Sequence, residues 1–279
     1  MTSTAKSGPV VLITGGANGM GECEAKLFAE RGYTVVIADR DGERTPLVTE
    51  EIKTAGGSAE GVVIDIRDED AFSSLIARTA RDYGSLDVLV NNAAALELCA
   101  LDPAAADVTS ETFMETLRSD LLPAFLGCKY SLPIMVEQGK GSIVNIASVT
   151  GEAGETTLTS YGVAKAGVIQ LTRMVATQYS KKGVRCNAVS PAFVLTRNNL
   201  TWTPERMANI YRRAMLTPDA VHPEKVAETV FFLGSDAAEY ITGETIRVDG
   251  GLMAGSPIAA DYRDWNDGLG PLGDPYPEL

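Results

Sequence analysis

V-V-L-I-T-G-G-A-N-G-M-G, Val10 to Gly21, sets an apolar, β-branched run against a glycine-rich turn, and the helical pattern of Ala25, Leu27 and Phe28 follows. A strand, a glycine turn and a helix in that order make a phosphate cradle. Glycines let the backbone approach a pyrophosphate, and the start of a helix offers free N–H groups and the positive end of its dipole. Gly15, Asn18, Gly19, Met20 and Gly21 are the expected contacts. A tight turn without a ligand is the competing reading, but three glycines at this spacing exceed what a turn requires.

Outward from this stretch the pattern repeats. The apolar run Val35 to Ala38 ends at Asp39, about twenty residues beyond Gly19. A carboxylate there accepts hydrogen bonds from both adenosine ribose hydroxyls and repels a 2'-phosphate, which favours NAD over NADP. Arg40 opposes that reading, since an arginine at this turn can hold the extra phosphate; its alternative is a solvated surface charge. A helix follows from about Glu43 to Ala55, then a strand around Val62 to Ile64 with Asp65 and Ile66 at its end, then a helix from about Glu69 to Asp82. Asp65 is placed either for the adenine amino group or as a helix N-cap. The strand Leu86 to Val90 runs into Asn91, Asn92, Ala93 and Ala94, whose amides and small side chains suit a wall beside a flat cofactor. Leu96 to Ser110 is loop-like, and Glu111 to Glu137 is helical with a break expected near Leu122 because of Pro123.

The run Ile143 to Ala147 predicts a buried strand whose C-terminal end delivers Ser148 to the sheet edge, where open α/β proteins bind ligands. Tyr161 and Lys165 are four apart, so they share a helix face and the ammonium can stabilise a phenolate. Ala164, Val168, Leu171 and Val175 give that helix a face to bury. Another strand, Val184 to Val189, leads through Pro191 and Val194 to Thr196. Beyond it Trp202, Met207, Ile210, Tyr211, Met215 and Leu216 form either plain core or an apolar lid over the substrate, the lid spanning about residues 194–220. A helix at Pro223 to Leu233 and a last strand at Glu244 to Val248 complete a catalytic unit at 1–255. The tail at 256–279 is rich in Pro, Gly and Asp yet carries Tyr262, Trp265 and Tyr276. Its composition predicts disorder, or an arm lying on another surface.

Bulk properties narrow the chemistry. The chain has 279 residues, 45% of them hydrophobic, with a net charge of -13 and no apolar run of membrane-spanning length. The charge disfavours nucleic acid and anionic membranes as partners. The N-terminal apolar run is too short for a signal peptide, so a cytoplasmic protein is expected. Cys23, Cys99, Cys128 and Cys186 are scattered and expected to be reduced structural thiols. With His222 the only histidine, a multi-histidine metal site is excluded, no metal is expected, and acid–base work falls mainly to Tyr, Lys or carboxylates.

Taken together, T-G-x-x-x-G-x-G at Thr14 to Gly21, N-N-A at Asn91 to Ala93, Ser148, Y-x-x-x-K at Tyr161 to Lys165 and V-D-G-G at Val248 to Gly251 resemble the short-chain dehydrogenase/reductase family. The match runs in register from about Val10 to Gly251. The resemblance implies a single Rossmann-type α/β domain, a seven-stranded parallel sheet with helices on both faces, and a homotetramer or dimer. It implies Tyr161 as general acid/base, with its phenol pKa lowered by Lys165 and the cationic nicotinamide, Lys165 also on the nicotinamide ribose, and Ser148 on the substrate oxygen. Thr196 and the backbone near Val194 match positions that hold the carboxamide. The family's asparagine before the active strand is Asp120 here, in D-L-L-P-A-F, and is expected to serve the proton relay. Glu152 and Glu155 either face solvent or select a polar or cationic substrate group. The expected activity is NAD-dependent interconversion of an apolar, cyclic secondary alcohol and its ketone. The alternatives are an NADP-dependent carbonyl reductase and a silent nucleotide-binding sensor or scaffold.

Overall fold

A computed structural model describes residues 8–269, the side chains of Trp202, Asn266 and Leu269 aside. Seven strands form one wholly parallel sheet: β1 Val10–Thr14, β2 Thr34–Asp39, β3 Ser58–Val63, β4 Val88–Asn91, β5 Gly141–Ile146, β6 Val184–Pro191 and β7 Thr245–Val248, in the order β3-β2-β1-β4-β5-β6-β7. The inner strands run buried without alternation because both faces are covered, whereas the edge strands β3 and β7 are only partly buried. Leu12, for example, is fully buried between Val36 and Leu89.

The connections are helical. α1 Gly19–Glu30, α2 Arg44–Thr54, α3 Glu69–Tyr83, α5 Leu122–Gln138, α6 Thr159–Tyr179 and α9 Pro223–Gly234 pack on the sheet, α4 Ser110–Asp120 packs on α5 and α6, and α7 Arg197–Trp202 and α8 Glu205–Ala214 follow β6. One core cluster gathers Phe28, Val48 and Val230, a second Phe72, Leu126 and Met135, and a third Ala147, Val168 and Ile169. Phe28 meets Tyr33 and Phe231 edge-on, with ring centroids 5.0 and 5.2 Å away. Among the described residues no helix is long and apolar enough to cross a membrane.

The helical break falls where Pro123 predicts it: α4 ends at Asp120 and Pro123 occupies the first turn of α5, where a missing N–H costs least. The third strand begins earlier than its apolar run, at Ser58, because it is an edge strand with only Ala59 fully turned inward. Residues 197–218 divide by position. Met215 and Ala208 are core, Ile210 and Met207 face solvent, and Tyr211 stacks on Phe193 at 5.1 Å between centroids. The V-D-G-G motif closes this segment: the Gly250 carbonyl accepts from Leu216 N at 2.7 Å, and a Cβ on Gly250 would fall 2.5 Å from Thr217 Oγ1.

The described part of the tail is helical, not irregular. α10 Ala259–Leu269 packs on α8, where Arg213 pairs with Asp261 and Asp264 and Arg263 Nη1 donates to the Met215 carbonyl at 3.0 Å. Intrachain arginine–carboxylate pairing offsets the polar composition. Tyr276 lies outside the described residues.

The strand order reverses between β1 and β4, and that switch point opens a crevice at the carboxyl ends of the strands. The glycine turn, the Asn92–Ala94 segment and Ser148 leave from the ends of β1, β4 and β5 beside it.

Candidate active site

Ser148 is buried past the end of β5, where its Oγ accepts from Thr150 N at 3.2 Å and fixes a short 3-10 turn. Tyr161 and Lys165 sit one turn apart at the start of α6. Lys165 is 2% exposed; its Nζ donates to the Ile146 carbonyl at 3.0 Å and lies 5.6 Å from the centroid of the Tyr161 ring. A hydroxyl, a phenol and an ammonium thus face one cleft. The protein's own groups hold the Tyr161 phenol above its ordinary pKa, not below it. Burial is the main cause, Asp120 and Cys99 add to it, and a hydrogen bond with Ser148 only partly opposes them. Burial likewise lowers the Lys165 pKa, while Asp120 works to keep the ammonium charged.

One anchor of this arrangement carries no local sequence signal. Asp102, 3% exposed, follows the 3-10 turn Leu96–Leu101 and caps α6 from outside the helix. Its Oδ1 accepts from Ser160 N at 3.0 Å and Ser160 Oγ at 2.8 Å, and its Oδ2 from Tyr161 N at 2.9 Å. The helix entry is also tied by Leu158 N to the Asp102 carbonyl at 2.8 Å, with Leu158 in the left-handed region at φ 62°. Thr159 and Ser160 are themselves good capping residues. The cap instead comes from 58 residues upstream.

Asp120, the last residue of α4, stands behind the trio and does not line the cleft. Its Oδ1 accepts from Ala95 N at 2.7 Å, while its Oδ2 is buried with no protein partner. Burial raises its pKa and the Lys165 charge pulls it down, with burial the stronger. Cys99 lines the cleft, and burial pushes its thiol up to about 12, so it stays protonated.

The cavity has a volume of about 1090 Å³ and joins this chemistry to the glycine turn. Asn18, Gly19, Met20 and Gly15 form its floor, with Ala93 and Ala94 opposite. The glycines answer to the turn's own closure: a Cβ on Gly21 would fall 2.1 Å from the Gly15 carbonyl oxygen, and one on Gly15, at φ 68°, 2.8 Å from Ala93 Cα. Gly21 therefore shapes the turn and does not reach the cavity. Asn92 also lines the cavity, yet its amide is spent on the turn, donating to the Thr14 and Gly15 carbonyls at 2.9 and 3.0 Å.

At the far end stand Asp39, Arg40, Asp65 and Ile66. Asp39 Oδ2 accepts from Ala17 N and Oδ1 from Asp41 N, both at 3.0 Å, which fixes the carboxylate at the end of β2. Asp65 is not the N-cap of α3. Asp68 is, accepting from Ala71 N at 3.0 Å, while Asp65 is gripped by Arg67 at 2.6 Å and held below its usual pKa mainly by that contact. Arg40 reaches across to Glu97 on the turn after β4.

Near the trio, Pro191, Val194, Thr196 and Tyr211 line the remaining wall. Thr196 caps α7, and Val194 bridges to Val221. Glu152 is not brought to the cleft: Arg247 on β7 holds its Oε2 at 2.7 Å, so that charge is neutralised elsewhere, and Glu155 faces solvent. The Trp202 side chain lies outside the described residues.

Residues 15–253 match the family model described as enoyl-(acyl carrier protein) reductase. The chain is 38% identical to a 7alpha-hydroxysteroid dehydrogenase of Bacteroides fragilis, over 89% of this chain and 95% of that protein. It is 39% identical to a cis-4-hydroxycyclohexanecarboxylate dehydrogenase of Sinomonas cyclohexanicum, over 88% and 96%. Among solved structures, a 7alpha-hydroxysteroid dehydrogenase complexed with NADH and 7-oxo glycochenodeoxycholic acid superposes with a TM-score of 0.82 at 27% identity, covering 89% of this chain and 96% of that one.

Proposed function

We propose, since the chain belongs to the short-chain dehydrogenase/reductase family, that it interconverts an alicyclic secondary alcohol and its ketone with NAD. One observation carries this reading: a single cavity has Asp39 at one end and Ser148, Tyr161 and Lys165 at the other. Its volume of about 1090 Å³ slightly exceeds the roughly 300–1,000 Å³ of an ordinary ligand site, which suits a dinucleotide and a substrate in line.

The residues fit such a cofactor. The turn from Gly15 to Met20 brings glycine backbone to the cavity at a helix start, and Asp39 holds a fixed carboxylate where ribose hydroxyls would donate. When bound, the nicotinamide supplies or accepts the hydride. The chain's own part is proton transfer. In reduction the Tyr161 hydroxyl gives its proton to the carbonyl oxygen; in oxidation its phenolate takes the proton from the alcohol. Ser148 donates a hydrogen bond to the same oxygen, and the buried Lys165 ammonium stabilises the phenolate. Asp120, beside Lys165, serves the relay that returns the proton to solvent.

The substrate class rests on the cleft wall and on what the relatives are named for. Phe193 and Tyr211 stack to form a flat apolar surface, with Val149 and Leu158 near the trio. Such a wall favours a ring. The steroid and cyclohexane alcohols named for two relatives agree with it.

An NADP-dependent carbonyl reductase would draw on Arg40, and the engagement of Arg40 by Glu97 weakens that alternative. The test is a screen of cyclohexanols, hydroxysteroids and their ketones with NAD and NADP separately. Turnover with NAD on ring alcohols is the expected result, and NADH binding with no turnover across the panel would leave only a nucleotide sensor. Sedimentation of the pure protein tests the homotetramer, or dimer, that the family resemblance implies.

A further inference from the structure

We infer that Glu97 helps to determine dinucleotide specificity: by engaging Arg40 across the cleft, it denies the adenosine end a free cation for a 2'-phosphate. The inference rests on the NAD reading above.

Arg40 directly follows Asp39 at the end of β2 and lines the cavity, so an uncommitted guanidinium there could meet an extra phosphate. In the structure that guanidinium is bonded to Glu97, which lies 57 residues further on and also lines the cavity. The nearby arginines are committed too. Arg44 bonds Glu22 at 2.7 Å, and Arg67 bonds Asp65 at 2.6 Å and Glu115 at 2.8 Å. Asp39 and Asp41 add negative charge beside them, with Asp39 fixed by two backbone N–H groups.

A 2'-phosphate entering this end must therefore compete with Glu97 for Arg40 while facing Asp39. NAD lacks that phosphate and meets no such competition. The second determinant thus comes from the turn after β4, on the opposite lip from the Asp39–Arg40 pair. Its strength is bounded. The Arg40 and Glu97 side chains are 56% and 47% exposed, so the pair is a solvent-facing one and its effect modest.

Glu97→Gln keeps the shape and removes the charge. Titration calorimetry on the whole chain, with NAD and NADP and separately with ADP and 2',5'-ADP, reads binding without catalysis. We expect Glu97→Gln to raise the NADP-to-NAD affinity ratio about two- to fivefold, the range an exposed ion pair can supply. The 2',5'-ADP-to-ADP ratio should rise in parallel, and the gain should shrink with added salt. Adding Arg40→Ala to Glu97→Gln should cancel it. Unchanged ratios in Glu97→Gln, or a gain that survives Arg40→Ala, would overturn the inference. The NAD reading is judged separately, on the unmodified chain: tighter binding of NADP than of NAD would defeat it whatever Glu97→Gln does to the ratio.

Discussion

The Asp102 carboxylate accepts the backbone N–H of Tyr161 at 2.9 Å, so the segment that walls one side of the cleft also seats the phenol proposed as acid/base. The same carboxylate takes two further hydrogen bonds from Ser160. That part of the cleft wall and Tyr161 are therefore one mechanical unit, and movement of the 96–102 segment is expected to displace the Tyr161 oxygen from Ser148.

Asp102→Ala is expected to leave three buried donors unpaired and to destabilise the fold by about 2–4 kcal/mol. Its kcat should fall about 10–100-fold, as expected for a misplaced acid, while NADH affinity changes little because the glycine turn is untouched. Asp102→Asn keeps an acceptor oxygen and should recover part of the loss. Equal losses of kcat in Ala and Asn variants, or a loss that vanishes below the melting range, would reduce Asp102 to a purely structural cap.

Tyr161→Phe removes one oxygen and preserves the ring against which Lys165 packs. Turnover should be abolished in both directions, with NAD affinity nearly unchanged. Retained turnover would eliminate the proposed acid/base.

How far all this could be read in advance depended on whether the signal was local. The buried parallel strands were legible because their apolar runs do not alternate, and with them came Asp39, Asn92 and Ser148, which stand at or just past strand ends. Y-x-x-x-K is equally local. Asp102 and Glu97 act on partners 58 and 57 residues away, and neither position differs in composition from an ordinary surface loop. For Asp65, left open between an adenine contact and a helix cap, local spacing decides the cap: three-residue spacing to Ala71 selects Asp68. Glu152, four residues past Ser148 and open in sequence between solvent and substrate, takes neither place, because its partner Arg247 is on the last strand.

Asp120→Asn restores the side chain the family resemblance implies and removes a buried negative charge near Tyr161 and Lys165. The charge of Asp120 helps hold the phenol above its ordinary pKa, along with burial and Cys99. Neutralising it makes the phenolate easier to form. The alkaline rise of the oxidation rate should therefore move to lower pH, with the variant still active. Rate profiles of alcohol oxidation across pH decide this. A shift to higher pH would mean that loss of support for the Lys165 ammonium outweighs relief at the phenol, since Asp120 also favours that charge.

Glu24 lies on the buried face of α1, 0% exposed, with neither carboxylate oxygen partnered. α1 carries the glycine turn at its start and packs along α9, so the carboxyl sits inside a core contact. Burial pushes its pKa up from 4.5 to about 8. The sign follows from linkage: the folded chain holds this proton more tightly than the unfolded chain, so stability is fully present below about pH 4.5 and is lost as pH rises towards 8. A shift of that size corresponds to several kcal/mol at most, about 1.4 per unit. Glu24→Gln cannot ionise and should flatten this decline, melting at a similar temperature near pH 5 and several degrees higher than the parent at pH 8.5. Thermal melts at both pH values provide the measurement. Parallel pH dependence in the two proteins would show that Glu24 finds a partner or water that the fold does not reveal, and the buried acid would lose its role as the pH-sensitive point of the cofactor helix.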